Sequence, residues 1–193
     1  MKRRVFIYWL TRCHPAAIIL SLNDYFTFRL LPKLIPSRFC HGIELIAFPG
    51  RLPELEKIAS ALELVKRKDD KRFRKIERSI TRVVLKSSKP KGFGSYEPLG
   101  QICTVYELQE EANHQLSIIA YAGILVQQAT HALLHRRRFP YSKSNASRME
   151  RICNLEMGRF MGKFPAMHSG NNLAAAFGFA KIRVPERKQS ARK

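Results

Sequence analysis

The stretch between about 115 and 137 constrains this chain most. Ile118, Ile119, Ala122, Leu125, Val126, Ala129, Leu133 and Leu134 recur at helical spacing there. They form an apolar face broad enough for the middle of a fold rather than its surface. Arg136, Arg137 and Arg138 suit the negative end of that helix's dipole, and Pro140 stops it. A helix this apolar must be covered, and the flanking patterns supply the cover. Upstream, Pro53 starts a helix carrying Leu55, Ile58, Ala59, Leu62 and Val65, running to about 68. Asp69 or Asp70 can cap a short second helix with Phe73 and Ile76. Residues 80–85 are β-branched and read as a strand, 87–94 as a loop, and Tyr96 with 101–106 as one or two more strands. Downstream, Met149, Ile152, Cys153, Leu155, Met157 and Phe160 predict a helix over about 144–161. The order is α+β: a small antiparallel sheet, a long central helix and a following helix that carries a Glu.

Residues 1–50 read as an N-terminal extension, with short helices or strands broken by Pro15, Pro32, Pro36 and Pro49. The main domain is expected over 51–165, and 166–193 as a flexible basic tail. The apolar run at 5–10 follows a basic start, as in a signal peptide, but stops after six residues, short of the roughly 7–15 required. Joining it to the run at 16–22 would put Arg12 and Pro15 inside a membrane, where a charge costs about 3 kcal/mol. The expected location is therefore cytoplasmic, and a segment lying on a membrane surface is left open.

Charge adds a second theme. Lys and Arg number 35 against 15 Asp and Glu, a net +20. Such a surface attracts an anionic partner, whether nucleic acid, anionic lipid or acidic protein, or is simply solvated. Cys13, Cys40, Cys103 and Cys153 form no CxxC pair and read as reduced thiols.

Chemistry concentrates on the central helix, in Q-Q-A-T-H-A over 127–132. Zinc peptidases place H-E-x-x-H on a helix, with two imidazoles one turn apart and the Glu as general base. Here Gln127 stands at the first His, Gln128 at the Glu and His131 at the second His, while Glu150 follows on the next helix as a third ligand. His131 with His135, also one turn apart, offers an alternative metal register with Glu150, although Ala132 stands where its base would be. The bland alternatives are a His131–Glu150 bond, a surface His135, and Glu150 paired with Arg148 or Arg151. His14, His41, His114 and His168 are isolated and carry no assignment. No P-loop, GxGxxG or Ser/His/Asp order can be defended, since Gly92-Phe-Gly94 is too short.

These residues resemble an uncharacterised bacterial zinc metallopeptidase family, gluzincin-like, whose helix reads H-E-A-T-H-A. The likeness runs through Gly94 to Tyr96, Q-Q-A-T-H-A, Tyr141, R-M-E-R-I-C over 148–153 and Glu156, and covers roughly 55–165. It implies a zincin-like fold, zinc ligands at 127, 131 and 150, a base at 128, and supporting roles at Glu156 and Tyr141. Two positions depart from it. A neutral amide is a poor zinc ligand, so Gln127 weakens or abolishes zinc binding. An amide takes no proton at neutral pH, so Gln128 removes the base. The expected function is a metallopeptidase-like protein with a degenerate active site, acting as a binding or regulatory module. The alternatives are a zinc hydrolase using His131, His135 and Glu150, and a basic nucleic-acid or anionic-membrane binder.

Overall fold

The computed structural model of the chain describes residues 37–47, 50–87, 93–108, 113–139 and 143–167. The expected membrane-surface segment, Tyr141 and nearly all of the expected basic tail lie outside them.

Among the described residues two strands come first, β1 (Ser37–Cys40) and β2 (Ile43–Ala47). Between them only His41 and Gly42 turn the chain, at φ +50° and +76°. Two successive positive φ values match the right-handed twist of a tight hairpin. Glycine takes that backbone freely, and histidine is among the side chains that tolerate it.

Helix α1 (Leu52–Lys68) has a proline in its first turn and buries Leu55, Ile58, Leu62 and Val65. Asp69 ends it and caps α2 (Asp70–Ser79), accepting the Arg72 backbone N–H at 3.1 Å. Strand β3 (Arg82–Lys86) follows, then the hairpin of β4 (Gly94–Glu97) and β5 (Ile102–Tyr106). The long helix α3 (His114–Arg136) and α4 (Lys143–Met161) follow, with a 3-10 turn at Pro165–Met167. Met167 is fully buried, so this turn packs on the core rather than opening the tail.

The sheet order is β1-β2-β3-β5-β4. The outer pairs are antiparallel, and the inner pairs β2/β3 and β3/β5 are parallel. The sheet is therefore mixed, not antiparallel. The cause is the crossover through α1 and α2, which returns the chain beside β2 in the same direction. Strands β1 and β2 fall in the stretch the sequence sets apart as an extension, yet they pair into this sheet.

Alternate strand residues, Leu45, Val83, Leu85, Cys103 and Val105, share one core with Ile58, Leu62, Ile76, Leu125 and Phe160 from the helices. The opposite face carries Ile46, Val84 and Ile102, also buried, as strands of a parallel ladder generally are. Helix α3 is buried almost all round from Ile119 to Thr130. Among the described residues it alone is long and apolar enough to cross a membrane, and 78% of its apolar window is covered by the rest of the fold. The covering is close: a Cβ on Gly123 would meet the Met161 sulfur at 2.8 Å. Tyr121 reaches out of this core to donate to Glu54 at 2.8 Å and accepts the Leu108 N–H at 3.2 Å.

Candidate functional site

Residues 127 and 131 are one turn apart on α3, so they share a face. Glu150 and Asn154 have the same relation on α4. The two helices run side by side and the pairs meet as two rungs. Gln127 Nε2 donates to Asn154 Oδ1 at 2.6 Å. His131 Nε2 lies 3.3 Å from Glu150 Oε1. Gln128 Nε2 donates to Gln127 Oε1 at 3.2 Å. A chain of amides therefore runs from Gln128 through Gln127 to Asn154. Gln127 and Gln128 are buried, at 8% and 3% exposure. An unpaired amide at that depth would cost about 1–3 kcal/mol, and this chain avoids it.

Strand β4 forms the wall beside Gln128. A Cβ on Gly94 would stand 2.8 Å from the Thr104 carbonyl oxygen and 3.4 Å from Gln128 Nε2. Only glycine lets this edge strand approach the helix so closely.

The ion pair at the second rung is graded in exposure. The His131 side chain is mostly buried and that of Glu150 is half exposed. Hydrogen bonding to His131 holds the Glu150 carboxyl below its usual range, against the opposing effect of partial burial. Cys153, on the same helix, is an inert thiol: burial first, then the charges of Glu150 and Glu156, push it up to about 12.

The sequence-expected residues divide accordingly. Gln127, Gln128, His131 and Glu150 come together. His135 sits half-buried a turn beyond, and among the described residues no third His, Cys, Asp or Glu donor closes on the His131–Glu150 pair. Glu156 faces elsewhere: Arg72 donates to it at 3.0 Å and Arg159 at 2.7 Å. Burial would raise its carboxyl, but Arg159, Arg72 and Lys75 outweigh that and hold it low. Arg72 also binds Asp69, to which Lys163 donates at 2.6 Å. Glu156 thus belongs to a network tying α2 to the end of α4, rather than to His131.

The donor set does not fit zinc. His131 and Glu150 are good ligands, but Gln127 brings a neutral amide already committed on both its atoms. The site can hold its own hydrogen bonds and, at Glu150, a positive group from solvent. Sequence reasoning missed Asn154, whose signal was its place one turn after Glu150. A groove of about 600 Å³ lies near the opposite end of α3, lined by Leu64, Arg67, Lys68, Gln115 and Phe164. From Gln115 to Gln127 the helix rises about 18 Å, so this groove is separate from the amide chain.

Comparison with known proteins leaves the assignment to this geometry: no protein-family model, curated protein or solved structure matches the chain.

Proposed function

We propose that the chain is a metallopeptidase-like protein whose hydrolytic centre has given way to an amide pair, and that it binds an extended peptide without cutting it. The observation that carries this is the closed hydrogen bonding of Gln128, Gln127 and Asn154, at the helix positions where a zinc peptidase keeps a base and a ligand. Three further features support it. His131 and Glu150, at the remaining ligand positions, lie 3.3 Å apart. A zincin-like arrangement of mixed sheet and long buried helix is compatible with the order of elements. Among the described residues strand β4 is the last of the sheet and lies beside Gln128, a position that suits strand addition by a peptide.

The double change Gln127→His and Gln128→Glu tests the assignment. Made in a Cys40→Ser background, it is expected to gain about one zinc per chain by elemental analysis after desalting, where the Cys40→Ser parent holds none. A restored variant that still ignores zinc would sink the metallopeptidase ancestry.

A second reading, compatible with the first, concerns the basic surface. Arg136 donates to the Arg78 carbonyl at 2.7 Å and to Ser79 Oγ at 3.2 Å, joining the last turns of α2 and α3. Arg78, Arg136, Arg137 and Arg138 are all exposed there. Such a cluster suits a phosphate-bearing partner. Binding to duplex DNA that weakens with salt, and less steeply after Arg137→Ala and Arg138→Ala, is the expected result; binding indifferent to salt would remove this reading.

A further inference from the structure

We propose a second, unrelated site: Cys40, His41 and Glu63 bind a soft divalent cation of the zinc class, with the fourth position open to water. One ligand atom from each of the three lies within 4.8 Å of the others, and among the described residues no other three His, Cys, Asp or Glu do so.

The site is built on fixed elements. The tight hairpin presents Cys40 as the last residue of β1 and His41 as the first residue of the turn. Helix α1 passes beneath with Glu63. The imidazole is held edge-on against Phe73 of α2, ring centres 5.1 Å apart. The donor types are those zinc takes, a thiolate, an imidazole nitrogen and a carboxylate oxygen. Tetrahedral bonds of about 2.0–2.3 Å would place the ligand atoms roughly 3.3–3.8 Å apart. The cluster reaches this by small side-chain rotations.

One contact singles it out. His41 Nε2 lies 2.6 Å from Glu63 Oε1. Yet the ring nitrogen is buried and has no hydrogen bond in a usable direction. The two atoms are close but poorly aligned, and once they part by somewhat under about 1 Å a cation between them binds both. Coordination releases one proton to solvent: the Cys40 thiol, which now points weakly at the Ala59 carbonyl at 3.9 Å, gives up its hydrogen and turns a sulfur lone pair to the metal. Thiolate and carboxylate then balance the dication.

Lys66 opposes this. Its Nζ is 3.3 Å from His41 Nδ1. An ammonium only donates, so Nδ1 accepts and the ring proton stays on Nε2, where the metal must bind. Metal binding therefore moves that proton to Nδ1 and swings Lys66 aside. Lys66 is a positioning residue that sets the affinity from outside the coordination sphere.

Cobalt(II) titration of the full chain tests this, read by thiolate-to-cobalt charge-transfer absorption and by zinc displacement of the band. One equivalent is expected. Cys40→Ser should abolish the band. Glu63→Gln and His41→Asn, the latter keeping the left-handed turn, should weaken binding by about tenfold or more. Lys66→Met should tighten it by about tenfold, a gain that misfolding cannot imitate. His131→Ala should change nothing. No charge-transfer band in the unmodified chain, a band that survives Cys40→Ser, or weaker binding in Lys66→Met would each overturn the proposal.

Discussion

The amide chain between α3 and α4 and the Cys40–His41 turn over α1 treat polar groups in opposite ways. The first is neutral and bonded at every step, from the buried Gln128 and Gln127 out to Asn154 at the surface. The second is ionisable, with a buried ring nitrogen against a largely exposed carboxylate but unbonded to it. A buried position that loses its ionisable side chains must replace them with groups that satisfy one another, because desolvation penalises anything less. The turn departs from that rule at one buried atom, His41 Nε2, while its Glu63 partner reaches water. A site whose hydrogen bonds are complete has little left to offer a ligand, whereas an unsatisfied one still has a valence to fill.

The contrast breaks most sharply under truncation. Gln127→Leu strands the buried Gln128 amide N–H, while the exposed Asn154 turns to water, and is expected to cost about 1–3 kcal/mol in urea unfolding. A loss near zero would mean that water replaces the amide chain freely. Asp69→Ala should cost about 1 kcal/mol, through the α2 cap and its bonds to Arg72 and Lys163. Glu63→Gln at the turn should change stability by less than about 0.5 kcal/mol, since its side chain is largely exposed.

Acid sharpens the same comparison. Burial raises the Asp69 carboxyl, but Lys163 and Arg72 more than offset this and lower it to about 2. A depressed carboxyl stabilises above its unfolded pKa, so this contribution is whole at neutral pH and fades as pH falls from about 4 towards 2. Glu150 acts in the same direction, being lowered by His131. The amide chain has no titrating group. The penalty of Gln127→Leu should therefore be the same at pH 7 and pH 4, whereas that of Asp69→Ala should shrink on acidification below about pH 4. The smallest effect is His131→Ala, which should make the acid limb of the stability curve slightly shallower by releasing Glu150.

Much of this was legible in the residue order. The breadth of the apolar face over 115–137 is what made α3 central, and its one-turn spacing is what put Gln127 and His131 on one face, with His131 against Glu150. The cap between the two helical patterns was legible as Asp69 or Asp70, two short polar side chains in a row, and the fold uses Asp69. Other parts were not legible, for specific reasons. Strand β1 is mostly exposed, with Phe39 among the most exposed large apolar residues, so it has no buried alternation to read. The parallel pairing of β2 with β3 depends on residues far apart in the chain, which local periodicity does not report. Asn154 carries no metal-ligand chemistry and becomes a partner only when two helices meet. The His41–Gly42 turn did leave a mark, a glycine between two short apolar runs, but the histidine before it was assigned nothing.

The sheet order has one more consequence. Strands β1 and β4 are its two margins, and four strand spacings of about 4.8 Å put them roughly 19 Å apart. Cys40 ends one margin and Gly94 begins the other. At that separation, with no shared contacts, free-energy changes at the two places should sum, so selection can rewrite either one while leaving the other as it was.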